Sequence, residues 1–124
     1  MRAAVATFGP MMRIVLPAAL AVLAALVLTA GPATASTRSC SAPHYPGDGY
    51  FTSLKVSGVS CGVGRRVTLA HYRCRTRHGA RGRCGSVLHY RCTESRTTIA
   101  TEFRSRVTCR RGARRVVYTY QQNT

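Results

Sequence analysis

The sequence predicts an α+β domain in which one amphipathic helix packs on a small antiparallel sheet, in the order β-α-β-β-β. Three observations lead to this prediction. Apolar and polar residues alternate in four segments, a helical stripe occurs in one segment, and six cysteines are spread over a chain of 124 residues. Alternation indicates half-buried strands, and apolar residues three or four positions apart indicate a helix. An antiparallel sheet with a helix on one face satisfies both patterns.

Residues 1–35 are expected to be a signal peptide. Arg13 supplies a positive flank, Ile14–Ala30 is apolar, and Ala33-Thr34-Ala35 provides the small residues of a cleavage site. The alternative is an uncleaved membrane anchor. The apolar stretch has 17 residues, which is shorter than the roughly 20 that a membrane-spanning helix needs. We therefore expect the rest of the chain to be secreted.

Residues 36–49 are expected to be an irregular lead-in, and residues 50–124 a single α+β domain. Two prolines and two glycines between Ser41 and Gly49 lead to the first expectation. The lead-in is therefore not counted among the predicted strands.

The first strand is predicted over residues 51–56, with Leu54 and Val56 on one face. Gly58 interrupts the alternation, and Val59 and Cys61 resume it on the opposite parity. This change of parity is typical of a bulge or a bend.

The helix is predicted over residues 62–75, where the period changes. Val63, Val67, Ala70 and Cys74 are spaced by three or four residues and therefore share one face of a helix. We expect this stripe to face the sheet, with the neighbouring arginines pointing elsewhere.

A basic loop follows the helix over residues 75–85. It contains four arginines and three glycines, and no apolar residue larger than Ala80. We expect the loop to be exposed.

Three strands complete the predicted sheet, and a turn at residues 110–113 joins the last two in a hairpin. They are expected over residues 87–92, 99–109 and 114–121. Alternation places the following side chains inward: Leu88, Tyr90, Cys92, Phe103, Val107, Cys109, Val116, Tyr118 and Tyr120.

All six cysteines follow the predicted cleavage point, and an even number in a short exported chain is typical of disulfides. The gaps of 20, 12, 9, 7 and 16 residues contain no close pair of metal ligands, so no metal site is expected. The positions of the cysteines in the predicted elements favour three pairs: Cys92–Cys109, Cys74–Cys84 and Cys40–Cys61.

A series of apolar, glycine and cysteine positions covers most of residues 50–120. It comprises Leu54-x-Val56-x-Gly58-Val59-Ser60-Cys61, a helix with Val67 and Tyr72, then Tyr90-x-Cys92, and Val107-x-Cys109-x-x-Gly112-x-x-x-Val116-x-Tyr118. The series resembles the small exported cysteine-containing α+β domains common in high-GC Gram-positive bacteria. Gly64 and the extra pair of Cys74 and Cys84 depart from that pattern. The resemblance implies an α+β fold and export, and it implies no activity.

Basic residues far outnumber acidic ones, with 19 Lys and Arg against 3 Asp and Glu and a formal net charge of +16. Without Arg2 and Arg13, 17 basic and 3 acidic residues remain, a net charge of +14. Such a charge favours binding to an anionic polymer or surface, such as a cell-wall polymer, nucleic acid or anionic lipid. The alternative is that the arginines keep the domain soluble and protect strand edges.

The candidate polyanion contacts form two clusters, one in and beside the basic loop and one around the last hairpin. The loop is expected to be the main contact, and Arg104 and Arg106 extend the hairpin cluster. The predicted contacts are Arg73, Arg75, Arg77, Arg81, Arg83, Arg110, Arg111, Arg114 and Arg115.

Two other function classes remain open. A secreted protease inhibitor or toxin-like module would insert the rigid loop into a partner. A small secreted ribonuclease needs a base, an acid and a cation, and the available residues lie in no recognisable motif: His71, His78, His89, Glu94 and Glu102. We expect a binding protein without enzyme activity, metal or cofactor, and the sequence indicates no small-molecule substrate.

Overall fold

The computed structural model describes residues 33–124, together with Gly9 and Gly31. The predicted signal peptide therefore lies almost entirely outside the described residues. Within the described part of the chain, no helix is both long and apolar enough to cross a membrane.

One helix packs on a six-stranded sheet in which every pair of neighbouring strands is antiparallel, in the order β1-β2-β6-β5-β4-β3. Two strands precede the helix and four follow it, so the predicted order β-α-β-β-β is wrong, whereas one helix on an antiparallel sheet is confirmed. The elements are β1 (Thr37–Cys40), β2 (Gly49–Ser57), α1 (Cys61–Thr76), β3 (Ser86–Val87), β4 (Tyr90–Thr98), β5 (Glu102–Arg111) and β6 (Arg114–Asn123).

The lead-in is not irregular throughout, because it contains β1. Thr37 pairs with Ser57 and Cys40 with Leu54, which makes β1 a short edge strand beside β2. No apolar alternation predicts β1, since Thr37, Arg38 and Ser39 are all polar and exposed. Short polar edge strands of this kind limit unwanted pairing with other chains.

The link between β2 and α1 also differs from the prediction. The irregularity in β2 lies between Phe51 and Ser53, and Gly58 instead ends the strand at a φ of 69°. This left-handed conformation favours glycine. Ser60 then caps the helix, since its hydroxyl accepts a hydrogen bond from the Val63 amide at 3.2 Å.

The buried face of α1 is only partly the predicted apolar stripe: Val67 is buried and Val63 packs against the core, but Ala70 and Cys74 are half-buried. The helix buries Gly64, Val67, Thr68, His71 and Arg75. The physical reason lies at Gly64, where an added Cβ would come within 2.5 Å of Val56 Cγ1. The helix lies close to β2 at Gly64, and the face that it buries on this side includes the polar side chains of Thr68, His71 and Arg75.

A tight turn interrupts the strand predicted over residues 87–92. Leu88 and His89 have positive φ angles of 49° and 64° and connect β3 to β4. Leu88 is 53% exposed, so its predicted inward orientation is wrong. The predicted strand beginning at Ile99 also starts later, at Glu102, and Ile99 is exposed.

The sheet has an inner face, which packs against α1, and an outer face on the opposite side. The buried core lies between the inner face and the helix and includes Leu54, Val56, Val67, Phe103, Val107, Val116, Tyr118 and Tyr120. Three disulfides connect these elements in the pairing that the sequence favoured: Cys40–Cys61, Cys74–Cys84 and Cys92–Cys109.

Candidate functional site: the basic outer face of the sheet

The outer face of the sheet is polar and rich in arginine. Along β5, Val107 and Cys109 are buried, whereas Arg104, Arg106 and Arg110 on the opposite parity are exposed. The register aligns them with residues of β4 and β6 that also point outward. The outer face therefore comprises Lys55, Arg91, Thr93, Ser95, Thr97, Arg104, Arg106, Thr108, Arg110, Arg115, Val117, Thr119 and Gln121.

Three arginines form a continuous row across this face. Arg91 of β4 is paired with Arg110 of β5, and Arg110 is paired with Arg115 of β6. Directly opposite residues of an antiparallel pair lie about 4.5–5.5 Å apart at their Cα atoms. Like charges in that relation destabilise a sheet, so this arginine row is a local cost to folding.

Hydroxyl side chains and further cations occupy the next rows. Thr93 lies opposite Thr108, and Ser95 lies opposite Arg106, which in turn lies opposite Thr119. Hydroxyl groups donate hydrogen bonds to anionic oxygens and guanidinium groups add charge. The outer face thus combines the two kinds of donor that bind phosphate, sulfate or carboxylate groups.

A shallow depression of about 550 Å³ lies at the other end of the outer face, with Arg104 and Arg106 in its lining. Tyr50 borders it, is 51% exposed and donates a hydrogen bond to Gln121 Oε1 at 2.7 Å. Gln121 in turn donates to Glu102. An aromatic ring beside arginines is a combination that binds the bases and sugars of anionic polymers.

The acidic residues leave the arginine row uncompensated. Glu94 lies on the inner face and accepts a hydrogen bond from Arg96 at 2.6 Å. Burial raises the pKa of Glu94, but the hydrogen bonds from Arg96 and Tyr120 outweigh this effect and lower it. Glu102 lies 3.6 Å from Arg104. Among the described residues, no ion pair involves a member of the arginine row.

The basic loop keeps most of its predicted exposure. Arg73, Arg77, Arg81 and Arg83 are exposed. The Cys74–Cys84 disulfide joins the two ends of the loop.

Arg75 is the exception among the predicted contacts, because it is 1% exposed. Its Nη2 atom donates to Gln122 Oε1 at 2.7 Å and to the Tyr45 hydroxyl. Its guanidinium lies 4.3 Å from the centre of the Tyr120 ring. Arg75 is therefore part of the core, and its prediction as a polyanion contact is wrong because the helix turns it toward the sheet.

Hydrogen bonds to its backbone fix the basic loop against the sheet. Gln122 Nε2 donates to the Ala80 carbonyl at 2.8 Å, and Arg96 donates to the carbonyls of Arg81 and Gly82. Gly82 is enclosed, since an added Cβ would lie 2.0 Å from the Arg75 carbonyl oxygen. These contacts hold the loop in one conformation.

The histidines considered for catalysis occupy separate places. His71 is fully buried, and its ring nitrogens contact the Tyr118 hydroxyl and the Cys84 carbonyl. Burial lowers the pKa of His71 despite the opposing hydrogen bond to Cys84. His78 and His89 are exposed. Burial and complete bonding leave His71 without access to a substrate.

The structure brings together four predicted contacts and adds one that was not predicted from the sequence. Arg110 and Arg111 lie opposite Arg115 and Arg114 at the tip of the last hairpin. Arg91 completes the row, and its position opposite Arg110 could have been predicted from the sequence. The Cys92–Cys109 disulfide implies a register in which the flanking residues, Arg91 and Arg110, also lie opposite each other.

No protein-family model matches the chain, and comparisons with curated proteins and with solved structures yield no match. Within residues 33–124, no group of three or more His, Cys, Asp or Glu side chains is arranged to hold a metal ion. The assignment of a function therefore depends on the geometry of the site.

Proposed function

We propose that this chain is a secreted basic domain that binds an anionic polymer along the outer face of its sheet. The observation that carries the proposal is the row formed by Arg91, Arg110 and Arg115 in register on three neighbouring strands. An anion placed over this row converts like-charge repulsion into charge-assisted hydrogen bonding. The binding partner would thus offset a cost that the free domain carries.

The extent of the charged surface favours a polymer over a small anion. Arg104, Arg106 and Arg110 are distributed along β5 over about 20 Å, given the rise of a strand. A linear polyanion has charges at repeated short intervals and can occupy several of these positions at once. Each contact releases a counterion from the polymer, which gives salt-dependent binding.

Three disulfides in the described part of the chain indicate an oxidising, extracellular environment. Together with the predicted signal peptide, they support secretion. The resemblance to small exported domains of high-GC Gram-positive bacteria stays a prediction and agrees with this proposal.

The decisive test measures the salt concentration that elutes the oxidised domain from heparin and from single-stranded poly-uridine RNA. A triple variant, Arg91→Thr, Arg110→Thr and Arg115→Thr, is expected to elute at lower salt from both. In a salt titration with poly-uridine RNA, its slope of log affinity against log salt should fall by roughly 0.7 for each phosphate that the variant no longer neutralises. Elution of the unaltered domain at low salt from both columns would contradict the proposal.

A matched control, the loop variant, removes the same charge in and beside the basic loop through Arg73→Thr, Arg77→Thr and Arg81→Thr. Because both variants lose three positive charges, a difference between them reports the position of the binding surface. We expect the loop variant to retain most of the affinity. An equal or larger loss of affinity in the loop variant would assign the main binding surface to the loop instead.

The basic loop supports a second candidate function, that of a protease inhibitor. Arg77 and Arg81 are exposed on a loop that the Cys74–Cys84 disulfide and the hydrogen bonds to Ala80 and Arg81 hold rigid. A rigid loop loses little conformational entropy on binding. Incubation with trypsin distinguishes the outcomes, since an inhibitor suppresses hydrolysis of a small substrate and a simple substrate is cut at these arginines.

The expectation that the domain is not an enzyme stays a prediction, with ribonuclease activity as the alternative. The RNA recovered from the poly-uridine column provides the assay. Intact RNA is expected, because His71 is buried and fully bonded. Cleavage that disappears in a His89→Ala variant would favour the enzyme.

A further inference from the structure

A second cationic site lies on the inner side of the sheet, between the N-terminal half of α1 and the end of the sheet near the β5–β6 hairpin. It is an open cleft of about 560 Å³, within the usual size range of small-molecule sites, which is about 300–1,000 Å³. Its lining combines three arginines with mostly apolar side chains.

Three arginines provide the charged part of the lining. Arg66 comes from α1, and Arg111 and Arg114 lie opposite each other in the hairpin. Among the described residues, none of the three forms an ion pair, and no acidic side chain lines the cleft. Three arginines from three elements, α1, β5 and β6, provide charge complementarity for a compact anion such as phosphate or carboxylate.

The remaining lining is apolar. Val59, Val63 and Val67 approach from the helix side, and Tyr90 and Leu88 from the start of β4 and the turn before it. A site with an apolar wall and a few converging charges fits a ligand that has both characters. A fully hydrophilic polyanion would leave the apolar wall without a partner.

Leu88 is held at the mouth of the cleft by an unfavourable backbone conformation. The two-residue turn of Leu88 and His89 requires positive φ at both positions, where Asn-Gly is the favoured pair. Bulky residues in this region are strained, and such strain concentrates at functional sites. The consequence here is that a large apolar side chain lies exposed beside three arginines.

We propose that the cleft binds a monomeric amphiphilic anion, a single phosphate or carboxylate group attached to a hydrocarbon chain. The arginines bind the anionic group and the valines, Tyr90 and Leu88 contact the chain. A membrane surface is a poorer fit, because insertion requires a broad apolar face, whereas Leu88 is one exposed apolar side chain beside a recess. This site is independent of the polymer-binding surface.

Isothermal titration of the oxidised domain tests the proposal with three probes, namely decyl phosphate below its critical micelle concentration, inorganic phosphate and decanol. Decyl phosphate is expected to bind at least about tenfold more tightly than either of the others, since only it engages both parts of the cleft. Equal binding of inorganic phosphate, or no binding of decyl phosphate, would overturn the proposal.

Two neighbouring arginines of α1 provide a matched pair for the charged part of the cleft. Arg66→Ser is expected to weaken decyl phosphate binding about tenfold, the usual scale for loss of one charge-assisted hydrogen bond. Arg65→Ser removes the same charge from an exposed position that does not line the cleft and should leave the affinity nearly unchanged. Equal losses of affinity would show that only the net charge matters and would overturn the proposal.

The strained turn provides a second matched pair of variants, and neither is expected to be destabilised. Leu88→Gly and His89→Gly both relieve a positive φ and are expected to maintain or raise the Tm. Leu88 alone of the two lines the cleft, so only Leu88→Gly should weaken decyl phosphate binding, by several-fold. Unchanged affinity in Leu88→Gly would overturn the role of this side chain in the site.

Co-sedimentation with phosphatidylcholine vesicles containing phosphatidylglycerol identifies the source of the ligand. Competition by monomeric decyl phosphate for any vesicle binding supports the proposal. Sedimentation that Arg66→Ser and Leu88→Gly leave unchanged, together with no monomer binding, would assign the interaction to a membrane surface and overturn it.

Discussion

At the scale of the residue, Arg75 is a buried cation for which the described part of the chain provides no carboxylate partner. Its charge is met by the Tyr45 hydroxyl, Gln122 Oε1 and the faces of Tyr72 and Tyr120, whose ring centres lie 5.1 and 4.3 Å away. Burial raises the pKa of Tyr45 to about 12, although Arg75 opposes the shift. Tyr45 therefore stays protonated and donates to Gln122 Oε1 at 2.6 Å.

Replacing Arg75 by Ala is expected to lower the free energy of unfolding by about 2–4 kcal/mol, because buried acceptors are left without their donor and the aromatic rings without the packed guanidinium. Arg73→Ala, at an exposed position of the same helix, should change it by less than about 0.5 kcal/mol. Urea denaturation measures both. Similar stabilities of the two variants would contradict a structural role for Arg75.

His71 makes folding sensitive to acid. Its pKa is lowered by burial in the folded state, so the unfolded chain binds a proton at higher pH than the folded protein does. The contribution of His71 to the free energy of unfolding is therefore complete above its pKa in the unfolded chain, which is about 6.5. This contribution is lost as the pH falls from there toward the lower pKa of the folded state. The neutral ring donates through Nε2 to the Cys84 carbonyl, which leaves Nδ1 to accept from the Tyr118 hydroxyl, and protonation removes this acceptor.

Urea denaturation between neutral pH and the onset of Glu94 titration measures this dependence. We expect a His71→Gln variant to have a flatter pH profile than the unaltered domain, at some overall loss of stability. His78→Gln, at an exposed turn position, should preserve the original slope. A slope that persists in His71→Gln would attribute the dependence to another group.

At the scale of the element, Gly64 determines how α1 sits on the sheet. An alanine there would gain helix propensity of about 1 kcal/mol, yet its Cβ would lie 2.5 Å from Val56 Cγ1. Overpacking of this kind typically costs about 1–3 kcal/mol. We therefore expect Gly64→Ala to destabilise the domain on balance.

Gly62→Ala is the control for Gly64→Ala, because it has the same change in propensity and an added Cβ would meet only Ser60 Oγ at 3.7 Å. It should be neutral or stabilising by up to about 1 kcal/mol. Thermal unfolding measures the difference between the two variants. A stabilising Gly64→Ala would mean that the helix can move away from β2 at little cost.

At the scale of the whole molecule, the charge of the domain opposes its compact state. Residues 36–124 have 17 basic and 3 acidic side chains, and like charges lie directly opposite each other in the arginine row. Added salt screens such repulsion, since the Debye length shortens from about 30 Å at 0.01 M to about 3 Å at 1 M. Stability is therefore tied to ionic conditions.

We expect the Tm to rise as NaCl is increased over this range, and the triple variant of Arg91, Arg110 and Arg115 to show a smaller rise from a higher starting value. The reason is that the variant has lost the most concentrated repulsion. Calorimetry at constant pH measures both effects. A Tm that falls with salt would indicate that attractive ion pairs outweigh repulsion.

The sequence by itself determined the helix-and-sheet composition, the charge and the favoured disulfide pairing. The spacing of apolar residues, two in strands and three to four in helices, is a local property of the sequence. Each cysteine lies at or near the end of a predicted element or on the inward-facing side of a strand, which favoured one set of pairs. Even the position of Arg91 opposite Arg110 could have been predicted, because the Cys92–Cys109 disulfide sets the register of β4 and β5.

Tertiary structure alone decided which helix face is buried and which arginines remain exposed. Close approach at Gly64 turned Arg75 and His71 inward, and partner groups from distant positions, such as Gln122 and Tyr118, compensate for that burial with hydrogen bonds. The polar strand β1 also lacks a local apolar signal, and the turn at Leu88 lacks the Asn-Gly pair that would have predicted it. The conformation of β1 depends on its pairing with β2 and on the Cys40–Cys61 disulfide, which join residues far apart in the chain.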